Sequence, residues 1–440
     1  MRNDLVVKLF VLFVLIGVCL IPLGLIWGVV AGRARYRDRV TADIGQTTAR
    51  AQMLCGPILV VETPVRRLAA PREGQRDSFA TRREQIVLPE TLVANSSVKV
   101  EARQRGIYRV PVFQSKTHLS ATFTTSTSPD LDPGWEIAGA ARGRLVFGVT
   151  DSRGLRIVPR VRRDGVPVEV RPETGLSWVA QGFSTPFELS SKAAKTTIDV
   201  DLEITGTQQL GLVPLGGNTD FEVESNWPHP AFAGGFSPDE REISSHGFKA
   251  RWRVSRFATG VPAAIAARQS TDLLGKQGCD LSVRFVQPVD VYQQSERAVK
   301  YGVLFVALTF VAFFMFETLG RLAIHPIQYA LVAGALAIFF LLLISLSEHV
   351  PFAVAYVVGS GACVSLLIFY AGHVLGGVTR GLGFGAMLGT LYILLYVILQ
   401  SEDYALLLGA LLLFAALATV MVMTRRVDWY RLNEGLSRKP

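Results

Sequence analysis

Four side chains able to bind a cation or relay a proton fall in two short polar breaks between long apolar segments. Glu348 and His349 form one break, and Glu402 and Asp403 form the other. Carboxylates held close together repel one another, so they need a cation, a charged histidine or solvent to offset the repulsion. We predict that the two breaks meet in one candidate cluster. Ordinary polarity of loops between spans is the alternative interpretation.

A fifth candidate, Glu317, lies near the end of an apolar segment that begins at Tyr301. A carboxylate within a membrane span is a candidate functional group by default. Arg321 follows four residues later, in the favourable order for an ion pair on a helix. Both interpretations stay open, an interfacial ion pair and a role in proton coupling.

Asn226–Pro230 reads Asn-Trp-Pro-His-Pro, and its two prolines restrict the backbone around His229. Such a loop can display Trp227 and His229 to a partner, or it can plug the domain that contains it. The sequence favours the structural plug and leaves the partner loop open.

Cys55 and Cys279 lie at opposite ends of the long polar segment. If that segment is periplasmic, the two thiols can form a disulfide. Each cysteine is near an apolar segment, so we predict that both lie near the membrane-proximal base of the polar domain. A disulfide would require Cα atoms within roughly 7 Å of each other.

Glycines recur at every fourth position along one apolar segment, at 377, 381, 385 and 389. This spacing puts small residues on one helix face, where a neighbouring helix can approach closely. A channel-lining or hinge helix is the functional alternative to packing.

The chain contains none of the motifs G-x-S-x-G, H-E-x-x-H, Walker P-loop or C-x-x-C, and its six histidines are scattered. We therefore predict no enzymatic activity, no catalytic or metal-binding residues and no cofactor. The net charge of +9 lies largely beside apolar segments. This pattern favours the lipid bilayer over nucleic acid as a partner.

Half of the 440 residues are hydrophobic and only 18% are charged, which is typical of a membrane protein. A span needs roughly 20 apolar residues. The sequence predicts an α-helical membrane bundle of six spans, arranged as one plus five. The predicted spans are Leu9–Ala31, Tyr301–Gly320, Ile327–Leu346, Pro351–Ala371, Gly381–Leu399 and Tyr404–Met423.

A large β-rich extracytoplasmic domain is expected between spans one and two. Apolar and polar residues alternate over Ile198–Ile204 and over Phe248–Val254, as in half-buried strands. Asp164-Gly165 is a hairpin signal between two such stretches, Leu155–Val161 and Val166–Val170. The predicted organisation is a cytoplasmic N-terminus (1–8), an anchor (9–31), a periplasmic β-rich domain (32–300), a five-helix bundle (301–423) and a cytoplasmic tail (424–440).

The orientation follows from the Lys and Arg residues in short loops, which favour the cytoplasm. One side of the C-terminal bundle carries seven such residues and the other carries two, Arg297 and Lys300. Four arginines after the first span, at positions 33, 35, 37 and 39, oppose this assignment without reversing it. We predict that both termini are cytoplasmic. The seven residues are Arg321, Arg380, Arg425, Arg426, Arg431, Arg438 and Lys439.

Long ordered stretches of the sequence resemble the CreD family of inner-membrane proteins. The resemblance runs from about Gly56 to Tyr430. It is carried by Arg105–Gln114, Ser225–Phe236, Gly247–Trp252, Lys300–Glu317, His325–Tyr356, Leu391–Phe414 and Thr424–Tyr430. These stretches include SNWPHPAFAGGF, SEHVPFAVAY and LQSEDYALLLGALLLF.

The resemblance implies a bacterial inner-membrane protein that maintains cell-envelope integrity, controlled by a Cre-type two-component system. It also implies links to the β-lactam response, colicin tolerance and stress. The family offers no established catalytic residues to assign here. We therefore expect a non-catalytic protein whose periplasmic domain contacts envelope proteins, with no ligand identified. The alternative is a transporter or channel component that uses polar residues of the C-terminal bundle.

Overall fold

The structure is a computed structural model, and the chain divides into two compact units. One unit comprises residues 1–38 and 289–440, and the other comprises residues 39–288. The structure describes residues 4–67, 81–106, 108–125, 134–189, 194–261, 280–287, 291–320, 324–401 and 404–425.

Six long helices occur in the described residues. Five of them, α2 to α6, are long and apolar enough to cross a membrane, as the sequence predicted. Helix α1 contains the predicted anchor and continues past the four arginines. Arginine is a good helix former, and the helix contains no glycine between Gly32 and Gly45. The helices are α1 (Asp4–Thr47), α2 (Val291–Gly320), α3 (Pro326–Ser347), α4 (Phe352–Val374), α5 (Val378–Gln400) and α6 (Ala405–Thr424).

Aromatic rings fill much of the centre of the helical unit. The Phe313 ring lies edge-on against Tyr329 of α3 and Phe384 of α5, with centroids 4.9 and 5.3 Å apart. Phe339 and Tyr392 make a similar contact at 4.7 Å. Edge-to-face pairs add to the stabilisation that burial alone provides. The apolar cluster also includes Leu23, Ile26 and Val30, so α1 packs with the other helices of this unit.

The predicted glycine face serves helix packing at two of its four positions. A Cβ atom at Gly381 would lie 2.6 Å from the Gly372 Cα of α4, and one at Gly385 would lie 2.1 Å from Ile368 Cγ1. Gly389 has open space where its Cβ would be. The close approach of α4 and α5 therefore requires glycine at 381 and 385, which supports the packing interpretation.

The second unit is a sandwich of two eight-stranded sheets that share one apolar core. In the first sheet the order is β13-β16-β11-β1-β6-β9, and β2 and β5 also pair with β1. Its strands are β1 (Gln52–Arg67), β2 (Thr81–Val87), β5 (Trp135–Ile137), β6 (Arg142–Val149), β9 (Gly182–Phe187), β11 (Gln209–Leu212), β13 (Pro230–Gly234) and β16 (Leu281–Phe285).

The second sheet has the order β14-β15-β12-β3-β4-β10-β7-β8. Its strand pairs are antiparallel except for β12 with β3, which is parallel. In the first sheet, β1 and β11 also pair in parallel. Its strands are β3 (Thr91–Arg105), β4 (Tyr108–Thr125), β7 (Arg160–Arg163), β8 (Val166–Val168), β10 (Ala194–Thr207), β12 (Asn218–Ser225), β14 (Glu240–Ser244) and β15 (Gly247–Ser255).

The alternating patterns in the sequence become the two faces of this second sheet. Strands β10 and β15 alternate between buried apolar and more exposed polar residues, as predicted. Rings from the two sheets meet in the core, where Phe113 contacts Phe285 at 5.3 Å and Trp252 contacts Phe232 at 5.8 Å between centroids. Burying both inner faces in one core removes a large apolar area from water.

The predicted hairpin joins β7 and β8, with shorter strands than the alternating pattern suggested. Asp164 and Gly165 both have positive φ, of 48° and 83°. This is the conformation that a two-residue turn between twisted antiparallel strands requires.

Asp151 lies at the junction between the end of α1 and the sandwich. Its carboxylate accepts hydrogen bonds from the Arg50 backbone N–H at 3.1 Å and from the Arg153 guanidinium at 2.6 and 2.9 Å. Gln52 donates to the Asp151 carbonyl at 2.9 Å. The Arg153 guanidinium also donates to the Gln46 carbonyl. The hydrogen bonds from Arg153 lower the pKa of Asp151 to about 2.

We expect Asp151→Asn to destabilise the protein by at most about 2 kcal/mol at pH 7, because the pKa in the unfolded chain is near 3.8 and the half-exposed Arg153 is screened by solvent. A pKa lowered by folding gives stability that is present above about pH 4 and lost as pH falls towards 2. Thermal unfolding of the full chain in a neutral detergent should therefore show a parent-to-variant difference that is constant from pH 7 to 5 and shrinks below pH 4. Glu169→Gln, at an exposed carboxylate, is the control. An equal difference at pH 7 and pH 3 would contradict the prediction.

Candidate functional site

Glu317 is buried in the last part of α2, with 2% of its surface exposed. Its Oε1 accepts a hydrogen bond from the Ile324 backbone N–H at 3.1 Å, and its Oε2 accepts one from the Tyr329 hydroxyl at 2.7 Å. The Tyr329 ring packs against Phe310 and Phe313. The carboxylate therefore fastens the end of α2 to the first turns of α3.

This arrangement gives Glu317 a structural task that the sequence did not indicate. Arg321, its predicted ion-pair partner, lies outside the described residues, so that pair stays a prediction. Sequence reasoning missed Tyr329. The sequence showed only that a tyrosine lies near the start of an apolar segment. Its contact with Glu317 joins two different helices, 12 positions apart, so no local pattern predicted it.

The predicted four-residue cluster is described only at Glu348 and His349, in the turn after α3, because Glu402 and Asp403 lie outside the described residues. Their proximity therefore stays a prediction. The His349 side chain is exposed, and its backbone N–H donates to the Leu346 carbonyl at 2.9 Å.

Glu348 forms an ion pair with Arg33 of α1, with 3.4 Å between Nε and Oε1. The Glu348 side chain is 12% exposed and that of Arg33 is 50% exposed. The pair brings Arg33, the first of the four arginines after the predicted anchor, to the same end of the helical unit as the turn between α3 and α4. From the sequence these arginines were evidence on orientation only, since a pairing 315 positions apart leaves no local pattern.

The Asn-Trp-Pro-His-Pro loop is fastened to the sandwich. Trp227 Nε1 donates to the Val286 carbonyl at 2.8 Å, and the Asn226 side chain accepts from the Val100 N–H at 2.8 Å. The Trp227 ring packs against the apolar core. These contacts support the structural interpretation for Trp227. The His229 side chain is exposed, and its contact with a partner stays a prediction.

Cys55 is buried on β1, and this burial raises the pKa of its thiol to about 12. Cys279 lies outside the described residues. The predicted pairing of the two cysteines therefore stays a prediction.

A polar groove lies across the second sheet, and the sequence did not reveal it. The cavity has a volume of about 450 Å³ and includes His118, Asp201 and Arg160 in its lining. His118 Nδ1 lies 2.8 Å from the Asp201 carboxylate, which also accepts from the Arg162 guanidinium at 2.9 Å. The sequence showed the alternating pattern of the individual strands, but not which strands lie side by side to form the groove. Within the described ranges, no group of three or more His, Cys, Asp or Glu residues could hold a metal ion.

Five membrane-length helices, a long N-terminal helix and a large β sandwich between them define a multi-helix membrane protein. The sequence model of the family described as "Inner membrane protein CreD" matches residues 4–430. The Inner membrane protein CreD of Escherichia coli (strain K12) is 36% identical over 437 residues, covering 98% of this chain and 95% of the relative. The chain belongs to the CreD family of inner-membrane proteins, which confirms the resemblance seen in the sequence.

We expect Glu317→Ala to lower the stability of the helical unit by roughly 2–4 kcal/mol, since it deprives two buried donors of a charged acceptor. Glu317→Gln keeps an acceptor oxygen and should cost less. The measurement is the melting temperature of the full chain in neutral detergent.

Glu296→Ala, at an exposed glutamate of the same helix, is the control and should melt like the parent. An unchanged melting temperature in Glu317→Ala would refute the structural task of Glu317.

Proposed function

We propose that this protein maintains cell-envelope integrity without catalysis, through contacts between its β sandwich and envelope proteins on the periplasmic side. The observation that carries the proposal is the sandwich itself, since residues 39–288 form a folded unit between the first and second membrane helices. A domain of this size provides binding surface that the membrane helices do not need for their own insertion. Membership of the CreD family supports the inner membrane as the location.

Two of the polar residues that the sequence offered for chemistry, Glu317 and Glu348, are engaged in structural contacts. Glu317 accepts two hydrogen bonds, and Glu348 pairs with Arg33. These contacts hold helices together. They support a binding or scaffolding role for the protein over an enzymatic one.

The transporter alternative gains little from the helical unit. The fully buried aromatic residues Phe310, Phe313, Phe339, Phe340 and Phe384 occupy its interior. Tight aromatic packing opposes a water-filled path between these helices. The glycines at 381 and 385 are also committed to packing.

We propose that residues 32–300 are outside the cytoplasm and that both termini are inside, on the Lys and Arg distribution. In this topology the first and third spans both end on the outer side of the membrane. The Arg33–Glu348 pair supports this, because it joins the end of the first span to the turn between α3 and α4. A reporter active only in the periplasm should be active when fused after Lys300 and inactive when fused at the C-terminus. The reverse pattern would invert the topology and remove the conditions for a disulfide.

A deletion strain of the host bacterium should be sensitive to detergents, and the parent gene should restore resistance. Purified protein in proteoliposomes should produce no substrate-dependent ion flux. If the polar cluster also serves this function, Glu348→Ala and Glu402→Ala should fail to restore resistance at normal insertion levels, whereas Glu296→Ala should restore it.

Normal detergent resistance of the deletion strain would refute the proposed function. Flux that disappears in Glu317→Gln would favour the transporter instead. If both cluster variants protect like the parent, the function lies in the sandwich alone.

A further inference from the structure

The arginines that follow the predicted anchor are engaged in different ways. Arg33 pairs with Glu348, and the Arg37 guanidinium lies 2.8 Å from the Asp38 carboxylate. Arg35 is exposed, and it forms no ion pair with any residue that the structure describes. Its Nε donates to the backbone carbonyl one turn earlier in α1, at 3.3 Å. Arg35 is therefore a cation without an opposite charge at the end of a membrane span.

Helix geometry places Arg35 on the side of α1 that faces away from the other helices. Leu23, Ile26 and Val30 are buried in the apolar cluster of the helical unit, so they mark the packed side of α1. Arg35 lies roughly 150° around the helix from the middle of that side. Arg33 lies only about 50° from it, in agreement with its contact to the turn after α3.

Small residues continue the Arg35 side of α1 into the membrane span. Gly24 and Gly28 point within roughly 20° of the direction of Arg35. No heavy atom of the described residues outside α1 would lie within 4 Å of a Cβ atom at either glycine. Leu25 and Trp27 project on the two sides of this face, with 70% and 51% of their surfaces exposed. The face is thus a shallow groove that ends at Arg35.

The dimensions of this groove match one leaflet of a bilayer. Arg35 lies roughly 6 Å along the helix axis beyond Ala31, where the predicted anchor ends, which is the depth of the headgroup layer. Gly24 lies roughly 16 Å from Arg35 along the axis, and the hydrocarbon of one leaflet is about 15 Å thick. A lipid phosphate at Arg35 would therefore bring an acyl chain over Gly28 and Gly24.

The charge at the end of the groove favours a lipid over a second helix. Two copies of this chain insert with the same orientation, so their α1 helices would pair in parallel. Pairing through the glycine face would place the two Arg35 side chains opposite each other, where like charges repel. A phospholipid instead brings a negative phosphate to the level of the arginine and apolar carbons to the level of the glycines.

We propose that α1 binds an anionic phospholipid, whose phosphate contacts Arg35 and whose acyl chain lies along Gly28 and Gly24. A lipid with a net negative charge binds more tightly than a zwitterionic one, because a zwitterionic headgroup brings its own cation towards the arginine. The site belongs to the helical unit and does not depend on the proposed envelope function. It also gives Arg35 a task at the end of a span, where the orientation rule alone disfavours an arginine in the proposed topology.

The test uses the full chain in a neutral detergent, with bound lipids counted by native mass spectrometry. Dioleoylphosphatidylglycerol and dioleoylphosphatidylcholine have the same acyl chains and differ in net charge. The parent should bind its first phosphatidylglycerol about fivefold more tightly than its first phosphatidylcholine. Arg35→Gln should weaken phosphatidylglycerol binding by about the same factor, since one cation near the membrane surface is lost. It should leave phosphatidylcholine binding nearly unchanged.

The matched control is Lys300→Gln, which removes another exposed cation beside a predicted membrane span. It should bind phosphatidylglycerol like the parent. Gly28→Leu fills the groove without a clash in the described residues, and it should weaken the binding of both lipids while Arg35 is intact. Unchanged phosphatidylglycerol binding in Arg35→Gln would overturn the proposal. Equal losses in Arg35→Gln and Lys300→Gln would also overturn it, because they would indicate general attraction to positive charge.

The same spectra report whether a second copy occupies the groove instead. A parent dimer in lipid-free detergent that becomes a monomer in Gly28→Leu, with phosphatidylglycerol binding unchanged, would overturn the lipid proposal in favour of self-association. Excess inorganic phosphate should not displace the bound lipid, because phosphate lacks the acyl chain. Complete displacement would overturn the contact between the acyl chain and the glycines.

Discussion

The shared apolar core of the two sheets is the interaction on which the β unit depends. Each sheet buries one face, and neither could leave that face in water without a large free-energy cost. Ring contacts such as those of Phe113 with Phe285 and Trp252 with Phe232 join the two inner faces. The outer face of the second sheet is thereby left free to carry polar residues, and the polar groove lies on it. The polar groove is thus a consequence of how the two sheets bury their inner faces.

Each of the three carboxylates removed from water has hydrogen-bond or ion-pair partners, and these partners differ from one position to the next. A charge removed from water requires partners, because the cost of an unpaired one is several kcal/mol. Glu317 receives a backbone N–H and a tyrosine hydroxyl, Asp151 receives an arginine and a backbone N–H, and Glu348 receives Arg33. Two of these arrangements connect successive or distant helices, and the third secures the end of α1 to the sandwich. Their shared effect is to fix elements in place.

Glycine at 381 shows how closely the membrane helices approach each other. Lipid offers no hydrophobic driving force between helices, so van der Waals contact must hold them, and small residues permit the shortest approach. The α6 helix differs, since Gly409 is the one residue that is buried among its described positions. Its exposed leucines suit contact with lipid.

The sequence by itself determined the spans, the β-rich character of the polar domain, the Asp164-Gly165 hairpin and the family. Each of these depends on local composition, on a short period of alternating residues or on contiguous motifs, all of which can be read along the chain. The tertiary structure decided that the β strands form one sandwich, that Tyr329 is a partner of Glu317 and that Arg33 is a partner of Glu348. It also decided that Glu222, Asn95, His118 and Asp201 lie side by side on four neighbouring strands. These residues are brought together by strand order and helix packing, and both depend on contacts between distant positions that no local pattern encodes.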